Sequence, residues 1–206
     1  MPSRSRLAAA NVDTGALAEC LRLAEEGTES AAGVLSGLAG IETRAERTSV
    51  SVLTERDLEE TFGDCVGVTV ELDGGFPGET LLAFERADAE YLLEGTGSEA
   101  ETPLDAADRS SLRESAHIVV SELVDGLAAR LGGLAELSPP TYHDQLDDAT
   151  LLADSPGSGA LAFESRLSGD GVSFTVLTVP RGYAMEYLLT DRPVDEDEVV
   201  SLGTLD

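Results

Sequence analysis

The chain contains no lysine; all thirteen of its basic residues are arginine. That absence removes whole chemistries. A P-loop needs its lysine on the nucleotide phosphates and Schiff-base catalysis needs a lysine amine, so both are excluded. Histidine is nearly as scarce: His117 and His143 are the only two, far apart and outside any HExxH or mixed His/Cys spacing, which argues against zinc. Cys20 and Cys65 have no metal-ligand spacing either and read as small buried hydrophobes. No metal and no cofactor is expected. Aromatic residues make up only 4% of the chain, and a single asparagine, Asn11, lies near its start. No stretch approaches the roughly 18 consecutive apolar residues of a membrane span. The apolar run at Leu7–Ala10 is too short for a signal peptide, so a soluble cytoplasmic protein is expected.

What is present is acid. Forty Asp and Glu against thirteen arginines give a net charge of −27, while 42% of the 206 residues are hydrophobic, enough for a real core. The acids are scattered over the whole length, the pattern of a protein adapted to very high salt, where a Debye length of about 3 Å at molar ionic strength screens self-repulsion. No arginine cluster is dense enough to neutralise phosphates, which excludes nucleic acid and anionic membranes as partners. Gly74-Gly75-Phe76-Pro77-Gly78 and Gly157-Ser158-Gly159 read as hairpin turns rather than phosphate cradles. Ser155 fails as a nucleophile elbow because Pro156 follows it directly.

Apolar residues at Leu17, Cys20, Leu21, Ala24, Ala31, Val34, Leu35 and Leu38 have helical spacing, so a helix is expected over about 15–40, started by Asp13 or Thr14 and ended by Gly40. Strands follow at Ser49–Leu53, Gly67–Leu72 and Thr80–Phe84, then a short helix at Ala87–Leu93 and a polar linker at Glu94–Thr102. A second long helix covers Asp108–Leu131. After Ser138-Pro139-Pro140 come a strand near Thr150–Ala153, strands at Gly159–Ser165 and Val172–Val179, a short helix around Gly182–Leu189, and an acidic tail at 191–206.

This order repeats. Ala89-Glu90-Tyr91-Leu92-Leu93 matches Met185-Glu186-Tyr187-Leu188-Leu189 at an offset of 96, and Leu38-Ala39-Gly40 matches Arg130-Leu131-Gly132 at an offset of 92. Duplication is the best account of both. The expected fold is α+β: two pseudo-symmetric halves (about 14–95 and 104–190 of one domain spanning 1–190), each a long helix plus antiparallel strands, share one sheet on which the long helices pack.

On a wheel at about 100° per residue, Leu112, Ala116, Val119, Val120, Leu123 and Leu127 form one stripe of the second long helix, to be buried. Ser110, Glu114, His117, Ile118, Ser121 and Asp125 fall on the opposite, outer face. Leu112 to Leu123, continuing through Leu131-Gly132-Gly133-Leu134 to Ser138-Pro139-Pro140, resembles the second signature helix of the CheC family of chemotaxis proteins, relatives of CheX and of the CheC-like part of FliY. The family pattern runs Ser or Asp, three residues, Glu, two residues, Asn, then about two dozen residues to a proline. Ser110, Glu114 and either Pro139 or Pro140 match it. The resemblance extends over residues 14–190.

Such proteins dephosphorylate the response regulator CheY. The resemblance implies a fold of two related halves, phosphorylated CheY as a partner, and CheD as a second one. It also implies that the acid, here Glu114, pairs with a regulator lysine while the amide orients the attacking water. Little covalent work falls to the phosphatase, because positioning and electrostatics carry the rate. The sequence departs from the pattern at the amide: His117 occupies the Asn position. Aligning Gly40 with Gly132 puts Arg22 and Glu25 at the Glu and Asn positions of the first helix, where an ionised Glu25 would repel a phosphoryl group. The expectation is a CheC-like protein that binds partners through its long-helix faces, at Ser110, Ile118, Ser121, Pro139 and Pro140, with catalysis weakened or lost. The alternative is an active phosphatase using Glu114 and His117 as catalytic residues.

Overall fold

The structure, a computed structural model, describes residues 14–95, 104–130, 133–146, 160–182 and 184. The strand expected near 150–153, the Gly157–Gly159 turn, most of the helix expected at 182–189 and the tail at 191–206 lie outside the described residues.

Helix α1 (Thr14–Ala39) ends at Gly40, whose N–H donates to the Ser36 carbonyl at 3.0 Å and whose φ of +66° is a C-terminal conformation that glycine adopts without penalty. Strand β1 (Arg44–Leu53) follows, longer than the 49–53 its apolar residues mark. Helix α2 (Glu55–Phe62) is unassigned by the sequence pattern. Strands β2 (Val66–Gly74) and β3 (Gly78–Phe84) form the hairpin expected at Gly74–Gly78, and helix α3 (Arg86–Gly95) closes the first half.

The second half opens with helix α4 (Ala106–Arg130). Asp105 caps it: one carboxylate oxygen accepts from the N–H groups of Ala107 (2.7 Å) and Asp108 (2.9 Å), while the Asp108 carboxylate accepts from the Asp105 N–H at 3.1 Å. This reciprocal arrangement satisfies three donors at the helix start. Two short strands, β4 (Ala135–Leu137) and β5 (Thr141–His143), come next, then the long hairpin β6 (Ala160–Gly169) and β7 (Val172–Pro180).

All seven strands belong to one antiparallel sheet ordered β1-β6-β7-β3-β2-β4, with β5 also on β2. Read from either end, the order is the same once each strand is replaced by its counterpart: an edge strand, then a hairpin, then the centre. Each half's edge strand therefore pairs with the other half's hairpin. Two contacts mark the axis. Leu81 and Leu177, 96 positions apart, lie directly opposite each other across β3 and β7, and the Ser30 hydroxyl donates to Glu122, 92 positions away, across α1 and α4 at 2.6 Å. Residues equivalent under a twofold can touch only where the axis passes, so the duplication inferred from sequence is built into the fold.

Both long helices lie on one face of the sheet. Leu112, Ala116, Val119, Val120, Leu123 and Leu127 are buried there as the wheel predicts, together with Val68, Val70, Phe163 and Phe174. The helices cross closely because position 27 is glycine: a Cβ there would stand 2.6 Å from the Leu123 carbonyl oxygen. On the opposite face, Leu58 and Phe62 of α2 pack with Leu81, Ala83, Leu177 and Val179.

Candidate functional site

The outer face of α4 carries the sequence-predicted residues. Ser110 and Glu114 are exposed, one helical turn apart. His117, Ile118 and Ser121, which the wheel puts on the outer face, are half-buried rather than open. The reason is that α4 is flanked on both sides. Along one flank α1 approaches, tied by the Ser30–Glu122 hydrogen bond. Along the other lie β4 and β5. The Arg109 guanidinium sits 5.2 Å over the Tyr142 ring of β5 and donates through Nε to the Leu104 carbonyl at 3.0 Å. The Tyr142 hydroxyl donates to Asp144 at 3.1 Å, and Arg86 of α3 donates to the same carboxylate at 3.3 Å and to the Asp144 carbonyl at 2.6 Å. Arg86, then the Tyr142 hydroxyl, hold the Asp144 carboxyl below the usual carboxylate range; burial and then Asp144 push the Tyr142 phenol up. This network fixes the start of α4 against β5.

Pro139 and Pro140 lie between β4 and β5, where they interrupt what would otherwise be one edge strand on β2. Having no N–H, they fit at an edge. Ser138 bridges the break: its N–H donates to the Glu71 carbonyl and its hydroxyl accepts from the Glu71 N–H, both at 3.0 Å. Pro139 is exposed and Pro140 half-buried. The fold thus brings the proline pair to the strands that pack against α4.

His117 differs from an amide in a specific way. Its Nδ1 is sealed from solvent and has no hydrogen-bond partner among the described residues. Any polar chemistry of the ring on the outer face therefore falls to its other nitrogen, Nε2. One turn before it stands Arg113, exposed, a cation beside the face. His143 plays no part here: its Nε2 bonds the Thr69 hydroxyl at 2.9 Å within the sheet.

The matching face of α1 is closed on itself. Arg22, at the position aligned with Glu114, is ion-paired to Glu19 at 2.9 Å and to Glu26, and Glu25 is exposed. The hydrogen bonds it donates to Glu19 and then Glu26 raise the Arg22 guanidinium above its ordinary value. Elsewhere a cavity of about 840 Å³ at the end of α2 is lined by Cys65, by the carboxylates of Glu59, Glu60, Asp64 and Glu85, and by Arg86, which is ion-paired to Asp144. Cys65 is half-buried, not fully buried as expected, whereas Cys20 is; burial, then Glu85 and Asp64, push the Cys65 thiol up.

No family model matches the chain. CheC1 of Halobacterium salinarum, whose name places it with CheY-P phosphatases, is 33% identical over 135 residues, covering 63% of this chain and 69% of that protein. Among solved structures, Thermotoga maritima FliY aligns over 87% of this chain and 98% of its own, with a TM-score of 0.61 at 17% identity. CheX in the Borrelia burgdorferi complex with CheY, beryllofluoride and magnesium aligns over 79% and 99%, with a TM-score of 0.57 at 18% identity. With the duplicated helices, the shared sheet and the Ser110–Glu114–Pro140 pattern all in place, the chain belongs to the CheC family of chemotaxis proteins, with CheX and FliY as relatives in fold.

Proposed function

We propose that this CheC-family protein docks a phosphorylated CheY-type regulator on the outer face of α4, through Glu114 with Ser110, Ile118, Ser121, Pro139 and Pro140, and that catalysis is weakened or lost with His117 in the amide position. CheD stands as a second partner in this reading, and the functional unit is the duplicated 1–190 segment with 191–206 as an acidic tail. The observation that carries the proposal is the pairing of an exposed, pattern-matching Glu114 with an imidazole whose Nδ1 is buried and unpaired.

A neutral imidazole has one N–H and one lone pair. An unpaired buried N–H costs about 1–3 kcal/mol and is rare in folded proteins, which favours the proton on Nε2. A water attacking an aspartyl phosphate must point its own lone pair at phosphorus, so the group that orients it has to accept its O–H. A surface Nε2–H instead donates to the water's lone pair and opposes attack. The phosphatase alternative requires the other tautomer and its buried N–H.

Docking is tested by titrating cognate CheY, with and without beryllofluoride, at high salt. The activated form is expected to bind more tightly, and Glu114→Ala to weaken binding by about 1 kcal/mol, roughly fivefold in Kd. Equal affinity of the two CheY forms, or an unchanged Kd for Glu114→Ala, contradicts the proposal.

A further inference from the structure

Thirteen arginines face forty acids in this chain, so an arginine with no carboxylate partner stands out. Among the described residues, Arg22, Arg56, Arg86 and Arg181 are ion-paired, and Arg109 donates to a carbonyl. Arg44, Arg47 and Arg166 have no such partner and sit together, all exposed, where β1 runs along β6. Arg47 lies directly opposite Arg166, and Arg44 opposite Ser168. Directly opposed residues share a face of the sheet with Cβ atoms about 5 Å apart, and like charges there are unfavourable. The neighbouring Glu46 lies in the bulge between Ala45 and Arg47 and accepts a hydrogen bond from the Ser168 hydroxyl at 2.6 Å.

The same strand is an edge of the described sheet. Among the described residues β1 pairs with β6 alone, leaving a row of outward backbone donors and acceptors. Its counterpart edge is cut into two three-residue strands by Pro139 and Pro140. Charges and a bulge guard edges against unwanted pairing, and Arg44, Glu46, Arg47 and the bulge do so at one end. Thr48–Leu53, however, carry no charge, and Val52 is 54% exposed.

We propose that the outer edge of β1 docks an extended acidic segment of a partner protein by strand addition, its backbone pairing along Thr48–Leu53 and its carboxylates meeting Arg44 and Arg47, with Arg166 one strand further in. Charge complementarity selects this occupant. The surface lies on β1 and β6, apart from the α4 residues proposed for the regulator.

The test uses labelled peptides with the full chain, at the lowest salt that leaves its circular dichroism unchanged. The first peptide alternates aspartate and valine, the second replaces each aspartate by asparagine, and the third replaces each valine by proline, which cannot add a strand. The first is expected to bind about tenfold more tightly than either control. The exposed Arg47→Ser, Arg166→Ser double variant, whose circular dichroism checks folding, should lose about fivefold. Amide shift changes on binding should fall within residues 44–53. Equal binding of the three peptides, an unaffected variant, or shift changes confined to another surface overturns the proposal. So does a dimer in sedimentation that the double variant abolishes, because it gives the edge to a second copy.

Discussion

At the scale of single residues, the nitrogen that His117 hides determines what it can do with the one it exposes. Glu114 needs only a charge and an open position, and any exposed turn of α4 would supply both. His117 needs a defined tautomer, and its sealed, unpartnered Nδ1 supplies the constraint. Heteronuclear NMR of the imidazole nitrogens at neutral pH should therefore find the proton on Nε2. A spectrum dominated by the Nδ1–H form would remove the argument against water activation. That 110, 114 and 117 share a helix face was legible in the sequence, because a helix converts spacing into a shared face. The hidden nitrogen was not legible, since it depends on what packs beside the ring, and wheel geometry says nothing about neighbouring strands.

At the scale of elements, α2 shows how a legible signal can be passed over. Thr54 and Asp57 form a capping box: the Thr54 hydroxyl accepts from the Asp57 N–H at 3.3 Å, and the Asp57 carboxylate accepts from the Thr54 N–H at 2.9 Å and hydroxyl at 2.7 Å. Leu58 and Phe62, one turn apart, seal the far face of the sheet. Eight residues give barely two turns of periodicity, so the pattern between β1 and β2 was too short to register. Thr54→Ala should cost about 1 kcal/mol, read from denaturation midpoints. The Thr54 hydroxyl, then its N–H, hold the Asp57 carboxyl below its ordinary value. The unfolded chain therefore binds more protons than the folded one as pH drops through the carboxylate range, so this stability is present above the unfolded pKa of about 3.9 and is lost below it. The wild type should lose stability between about pH 5 and 3 more steeply than Thr54→Ala. Identical slopes would mean the box contributes nothing. Strands β4 and β5 had no comparable signal: with three residues each, their existence is decided by β2 beside them rather than by their own side chains.

At the scale of the whole molecule, the repeats at offsets of 92 and 96 announced two related halves and one sheet, and the fold contains both. What they could not reveal is that each half lends its edge strand to the other, because strand partners are chosen across space and leave no local periodicity. The two long-helix faces nevertheless differ in their side chains. The α1 face is occupied by its own Arg22 ion pairs, while Glu114 on the α4 face is exposed and has no ion-pair partner among the described residues. The central claim is that this second face holds a regulator without hastening hydrolysis. The measurement closest to it is the decay of phosphorylated CheY at high salt, alone and with the wild-type protein, His117→Ala or His117→Asn. The account predicts that the wild type and His117→Ala leave the lifetime unchanged and that only His117→Asn, which restores an amide, shortens it. Acceleration by the wild type that vanishes in His117→Ala would contradict the account and make His117 a catalytic residue.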